Sequence, residues 1–207
     1  MYRRRLALLA AFALVFFQPL AGAMPAADQI GLAFRLMDTT QNDAISPAEW
    51  KRASFALFRA ADKNNNDFID GDELKSSTIA QDTFLRADKD HDGRLSVDEF
   101  VELRRQLFTL ADLDHDDYLT YVEYELFIVF EPVGWHDHNA NGRMDVSELR
   151  VSLTAAFEQL DLDHDGLLDK KEAAYMEAKR FARFDKDQDG KLSLEELVAG
   201  YRSEFGV

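Results

Sequence analysis

The sequence predicts an all-α protein: a tandem array of acidic loops joined by short, shared helices, with a division into two lobes. Three observations predict this. A twelve-residue acidic segment of one grammar recurs seven times, at intervals of 24–26 residues, and repetition at a fixed period sets an architecture before any local propensity does. The stretches between copies are 12–14 residues long and carry apolar residues at helical spacing. Cysteine is absent, and a 46% apolar share is enough for a core without disulfides.

The chain opens with "MYRRRLALLAAFALVFFQPLAGA". Arg3, Arg4 and Arg5 precede an apolar run from Leu6 to Phe17, and Ala21-Gly22-Ala23 follows. This is the three-part pattern of a secretory signal, with cleavage expected after Ala23. The apolar run is short against the roughly 20 residues of a membrane span. Residues 1–23 are therefore expected to be a signal peptide. The remainder, 24–207, is read as one loop-bearing region, expected in the periplasm or outside the cell and not in a membrane. Losing three Arg would leave it more acidic than the formal −15 of the whole chain.

Loop 1 begins at Asp38 (DTTQNDAISPAE) and loop 2 at Asp62 (DKNNNDFIDGDE). Loop 3 begins at Asp88 (DKDHDGRLSVDE), loop 4 at Asp112 (DLDHDDYLTYVE) and loop 5 at Asp137 (DHNANGRMDVSE). Loop 6 begins at Asp161 (DLDHDGLLDKKE) and loop 7 at Asp185 (DKDQDGKLSLEE). Every copy has Asp first and Glu twelfth. The eighth residue is always apolar: Ile45, Ile69, Leu95, Leu119, Met144, Leu168 and Leu192. Four residues before each loop stands Phe34, Phe58, Phe84, Phe108, Phe157 or Phe181, and Val133 in the remaining case. Helix capping alone explains a Glu at the twelfth position. It does not explain acids alternating at positions 1, 3 and 5.

This pattern resembles the calcium loop of the EF-hand superfamily, D-x-[DN]-x-[DN]-G-x5-E, and the resemblance covers nearly all of the chain after residue 23. Secreted bacterial proteins with many EF-hands are similar to it. The resemblance implies Ca2+ as the bound ion, a hard cation that takes six to eight oxygens. It also implies the ligands. In loop 3 they are the side chains of Asp88, Asp90 and Asp92, the carbonyl of Arg94, Ser96 through a water, and both oxygens of Glu99. The matching positions are Asp62, Asn64, Asn66, Phe68, Asp70 and Glu73 in loop 2, and Asp112, Asp114, Asp116, Tyr118, Thr120 and Glu123 in loop 4. Loop 5 offers Asp137, Asn139, Asn141, Arg143, Asp145 and Glu148. Loop 6 offers Asp161, Asp163, Asp165, Leu167, Asp169 and Glu172. Loop 7 offers Asp185, Asp187, Asp189, Lys191, Ser193 and Glu196. Loops 2 and 5, with Asn for Asp, should bind more weakly. Loop 1, with Thr40 at position 3 and Asp43 at position 6, is a poorer site and reads as a terminal capping repeat.

Position 6 must turn into a left-handed conformation, which suits glycine and is tolerated by Asp67 and Asp117. Position 8 is expected to bridge to a partner loop. Between loops, Phe100, Leu103, Leu107 and Phe108 fall on one stripe, as do Leu149, Leu153, Ala156, Phe157 and Leu160. A single helix of about 18–21 Å fits each spacer. The exit helix of one loop is therefore expected to enter the next, so that neighbouring loops lie at opposite ends of the array and loop n pairs with loop n+2. Two breaks are expected: the poor helix formers from Ser76 to Thr78, and Pro132 with Gly134. The second divides the chain into lobes 24–131 and 132–207.

The acidic balance excludes a basic nucleic-acid-binding face and favours cations or basic surfaces. His91, His115 and His164 occupy the outward position 4. His136-Asp137-His138 suggests zinc or nickel only weakly, since Asp137 is already required by loop 5. No nucleophile–base arrangement, phosphate loop or HExxH occurs, so an enzyme is not expected. The expected function is calcium binding at about six loops in an exported buffer or calcium-stabilised scaffold. The alternative is a sensor that exposes an apolar surface to an unidentified protein partner. Only Met24, Met37, Met144 and Met176 remain after residue 23 to line such a groove.

Overall fold

The computed structural model describes residues 24–75 and 81–206. The proposed signal peptide and the expected break at Ser76–Thr78 lie outside them. The described chain is mostly helical. Its helices are α1 (Ala27–Met37), α2 (Pro47–Ala61), α3 (Gly71–Lys75), α4 (Gln81–Ala87) and α5 (Val97–Ala111). They continue as α6 (Tyr121–Phe130), α7 (Val146–Leu160), α8 (Ala178–Phe184) and α9 (Leu194–Phe205). Four two-residue strands lie inside the loops: β1 (Ala44–Ile45), β2 (Phe68–Ile69), β3 (Leu95–Ser96) and β4 (Leu119–Thr120).

Loops and helices meet by one device at each end. The loop's first residue ends the preceding helix, its amide donating to the carbonyl four residues back: Asp38 to Phe34, Asp62 to Phe58 and Asp88 to Phe84 at 2.8–2.9 Å, and likewise for loops 4, 6 and 7. The ninth and twelfth residues begin the next helix as a capping box. Ser96 Oγ accepts from the Glu99 amide while Glu99 Oε2 accepts from the Ser96 amide at 2.9 Å. Ser46/Glu49, Thr120/Glu123, Asp145/Glu148 and Ser193/Glu196 repeat it.

The expected pairing of loop n with loop n+2 is wrong. Loop 2 pairs with loop 3 through β2 and β3 (Ile69 opposite Leu95), and loop 1 with loop 4 through β1 and β4 (Ile45 opposite Leu119). Loop 6 pairs with loop 7 through Leu168 and Leu192. The reason lies in the spacers. Three helices are shared as expected: α2 joins loops 1 and 2, α5 joins loops 3 and 4, and α7 joins loops 5 and 6. The spacer between loops 2 and 3 instead holds two short helices, α3 and α4, so the chain reverses and the two loops meet. Helices α2 and α5 then run antiparallel and pack together. Each is 15 residues, about 22 Å long, so closing loops 2 and 3 at one end brings loops 1 and 4 together at the other.

The spacer between loops 6 and 7 also reverses, although Ala173, Ala174 and Met176 are good helix formers. Residues 170–175 form a turn, and helix restarts only at Ala178. Tertiary contacts override the propensity. The carbonyl of Ala174 accepts from the Ala27 amide at 2.9 Å, at the start of α1, and Tyr175 is fully buried.

The predicted stripes face inward: Phe100, Leu103, Leu107 and Phe108, and the five residues of α7, are all buried. At the centre, Trp50 of α2 packs edge-on against Phe127 at 4.9 Å and donates from Nε1 to the Arg104 carbonyl at 2.7 Å. Helix α6 stops at Phe130, where the amides of Val133 and Gly134 turn back onto its carbonyl and Gly134 takes a φ of 84°. The break expected at Pro132 is thus a helix end. Buried contacts cross it, including Glu125 of α6 with Arg180 of α8 at 2.5 Å and with the Tyr201 hydroxyl at 3.1 Å. No described helix is long and apolar enough to cross a membrane.

Candidate metal centres

Each loop is wound around its first and twelfth residues. Asp88 Oδ1 accepts from the Asp92 amide (3.1 Å) and Oδ2 from the Gly93 amide (3.0 Å). Glu99 Oε1 accepts from the Lys89 amide at 3.0 Å. The pattern recurs in loop 4, where Asp112 takes the amides of Asp116 and Asp117 (both 3.2 Å) and Glu123 that of Leu113 (2.8 Å). In loop 6 Asp161 takes Asp165 (3.2 Å) and Gly166 (2.9 Å), and Glu172 takes Leu162 (2.8 Å). Loops 1, 2 and 5 are wound the same way on Asp38/Glu49, Asp62/Glu73 and Asp137/Glu148.

The winding draws like charges together. In loops 3, 4, 6 and 7 the residues at positions 1, 3 and 12 bring one carboxylate oxygen each within 4.8 Å of the others. They are Asp88, Asp90 and Glu99; Asp112, Asp114 and Glu123; Asp161, Asp163 and Glu172; and Asp185, Asp187 and Glu196. At that separation two unit charges repel by about 3 kcal/mol at an effective dielectric near 20. The hydrogen bonds donated by backbone amides, about 1.5–3 kcal/mol each to a charged acceptor, offset this in part. A carboxylate oxygen has two lone pairs, so an oxygen bound to one amide still has capacity for a cation.

The position-5 side chains are held apart from these trios. Each accepts the amide two residues on: Asp92 from Arg94 (2.9 Å), Asp116 from Tyr118 (2.8 Å), Asp165 from Leu167 (2.9 Å) and Asp189 from Lys191 (2.8 Å). Asn66 and Asn141 do likewise with Phe68 (2.9 Å) and Arg143 (2.7 Å). Asn64 and Asn139 take the amides of Asn66 and Asn141 at 2.9 and 3.0 Å, so the two Asn-bearing loops keep the winding with fewer charges. At position 9, Ser96, Thr120 and Ser193 donate their hydroxyls to the Glu of their own loop (2.7–2.8 Å). Asp145 and Asp169 instead accept the Glu148 and Glu172 amides at 3.0 Å. Asp70 contacts Asn66 Nδ2 at 3.0 Å.

Loop 1 satisfies itself. Thr40 Oγ1 donates to Asp38 Oδ1 at 3.3 Å, and Glu49 Oε1 takes the Thr39 amide, the Thr39 hydroxyl and the Thr40 amide at 2.8–3.0 Å. Burial raises the Glu49 carboxyl, but the bonds from Ser46 and Thr40 outweigh it and hold it at about 2. Loop 4 is the opposite case. Glu123 is fully buried and Asp112 nearly so, and burial pushes both carboxyls above their ordinary values against the hydrogen bonds they accept.

A cation fits these donors. The sets are all oxygen, with several carboxylates each, the donor chemistry that hard divalent ions take. In loop 7, Asp185 Oδ1 is buried with no hydrogen-bond partner, whereas the same atom in loops 1–6 accepts an amide. A buried carboxylate oxygen without a donor is costly, and a metal ion on that atom removes the cost. Residues 80–104, 153–172 and 176–200 each match the family model described as EF hand. These EF-hand stretches span loops 3, 6 and 7. They support the superfamily, and calcium binding with it. No curated protein matches the chain.

Position 4 is left-handed as well as position 6, which the sequence reading missed. Gln41, Asn65, His91, His115, Ala140, His164 and Gln188 have φ of 53–61°. The signal was present, since Asn and His enter this region more readily than most residues. The three histidines are exposed there. His136 and His138 stack at 5.9 Å, with His138 Nδ1 on the His136 carbonyl at 2.9 Å.

Proposed function

We propose that the chain is an exported calcium-binding protein with about six occupied loops, 2 to 7, acting as a calcium buffer or a calcium-stabilised scaffold and not as an enzyme. The observation that carries this is the approach of three carboxylates to within 4.8 Å of one another in each of loops 3, 4, 6 and 7, the last of them including Asp185, whose Oδ1 is buried without a donor. The ligands are those named above for each loop, with Asp90, Asp114, Asp163 and Asp187 completing the acidic trios.

The scaffold reading rests on how the loops connect to the core. Position-8 side chains are buried in all seven loops, and in loops 1, 3, 4, 5 and 7 the twelfth-position Glu both closes the loop and caps the following helix. An ion that fixes Glu123 or Glu196 therefore fixes the start of α6 or α9. Binding to the folded chain alone adds stability by mass action, roughly 2.7 kcal/mol when free ion is 100 times its dissociation constant. Outside the cytoplasm calcium is abundant enough for weak sites to fill.

Equilibrium dialysis against calcium tests the count. About six ions per chain are expected, and two or fewer would reject the proposal. Expression of the whole chain in a bacterial host, with fractionation and N-terminal sequencing, tests export: the processed protein should begin at Met24.

A further inference from the structure

The three loop pairs differ in what their position-7 side chains do. In the pair of loops 1 and 4 those residues are Ala44 and Tyr118, which carry no charge. In the pair of loops 2 and 3, Arg94 lies over the Phe68 ring at 4.1 Å and grips Asp92 of its own loop at 2.8 Å. In the pair of loops 6 and 7 the cation crosses over. The Lys191 ammonium forms an ion pair with Asp165 of loop 6, and the charges of Asp163 and Asp169 act on it as well. The bridge between Leu168 and Leu192 puts it there, because Lys191 is the residue before Leu192.

We propose that Lys191 is the built-in counter-ion of loop 6, so that an ion entering loop 6 has to displace a side chain belonging to loop 7. This rests on the calcium reading of the loops. Its consequence is specific. Asp165 is the position-5 ligand of loop 6, and the backbone carbonyl of Lys191 is the position-7 ligand of loop 7. One residue thus opposes binding in one loop while serving the other. Loop 6 has more carboxylates at its ligand positions than loop 5 or loop 2, yet part of its field is already neutralised. In loop 4, by contrast, no Lys or Arg pairs with Asp116 among the described residues.

The test is a site-resolved calcium titration by NMR of the metal-stripped chain. The amides of Gly93, Gly142, Gly166 and Gly190 report on loops 3, 5, 6 and 7, because each glycine follows the position-5 ligand of its own loop. Lys191→Met should tighten loop 6 about two- to fivefold, the range an exposed ion pair spans, while loop 3 stays unchanged. Lys186→Met removes the same charge from loop 7 without touching Asp165 and should leave loop 6 within experimental error. Without calcium, Lys191 should be methylated by a reductive reagent more slowly than Lys186, and calcium should abolish the difference. Equal effects of the two substitutions on loop 6, or equal methylation of the two lysines before calcium is added, would overturn the role of Lys191. Failure of Gly166 to respond to calcium in either protein would instead overturn the calcium reading of loop 6.

Discussion

Leu168 and Leu192 exchange both of their backbone hydrogen bonds, at 2.8 and 2.9 Å, and both side chains are fully buried. Burying each leucine is worth about 1.5–3 kcal/mol, against about 1 kcal/mol for each hydrogen bond. The bridge is therefore held mainly by its side chains. Leu192→Ala should lower unfolding free energy by about 2–4 kcal/mol in a urea titration. It should also weaken calcium binding in loops 6 and 7 together, leaving loop 3 unaffected.

The twelfth-position Glu can be tested without losing the helix it caps. Glu196→Gln keeps one carbonyl oxygen, enough for the Ser193 amide at the helix start, and removes the charge and the oxygen that takes the Lys186 amide. One ion fewer should bind at a calcium level that fills the other loops, read by equilibrium dialysis, with far-UV circular dichroism nearly unchanged. Loss of two or more ions would show that loops 6 and 7 fill as a unit.

Glu125 and Arg180 make a buried ion pair between α6 and α8. Removing Glu125 leaves the Arg180 guanidinium only the more distant Glu204, 3.6 Å from its Nε, and loss of the main partner of a buried charge costs up to about 3–5 kcal/mol. Glu125→Ala should be destabilised by that amount in denaturant. Joint replacement by Leu at 125 and Met at 180 should recover most of it. A double variant as unstable as the single one would mean that the Tyr201 hydroxyl bond to Glu125 matters more than the charge.

Gly200 sits in α9 with its Cα facing the Phe184 ring, and a Cβ built there meets that ring at 2.4 Å. Gly200→Ala should destabilise by about 1–3 kcal/mol through overpacking. Gly31 in α1 is the contrast, since its Cβ would meet the flexible end of Arg35 at 3.2 Å and the Tyr121 ring at an ordinary contact distance of 3.7 Å. Gly31→Ala should be neutral or stabilise by up to about 1 kcal/mol through helix propensity. Thermal melts of the two variants should move in opposite directions.

The loops were readable because each position answers to a local constraint. Asp38, Asp62, Asp88, Asp112, Asp161 and Asp185 end helices, Gly93 or Asp117 turns the chain, and Leu95 or Leu168 seeks a partner. Such constraints repeat, and repetition makes them visible. The pairing order was not readable, because it depends on whether a spacer is one helix or two. Nothing in the sequence showed that the spacer after loop 2 would hold two short helices, α3 and α4, and bring loops 2 and 3 together. The reversal after loop 6 had no marker at all. It follows from contacts with distant parts of the chain, Ala174 with Ala27 at the start of α1 and Tyr175 with Tyr201 in α9. The candidate ligands were legible by spacing. That Lys191 would reach into loop 6 was not, because it depends on which loops are neighbours.

The most direct measurement is a calcium titration of the metal-stripped protein, following far-UV circular dichroism and an apolar-surface dye in the same sample, with magnesium as control. Helix signal should rise and dye binding fall as calcium reaches millimolar levels, with a much weaker response to magnesium. No response in either signal, with no calcium bound by dialysis, would contradict the account.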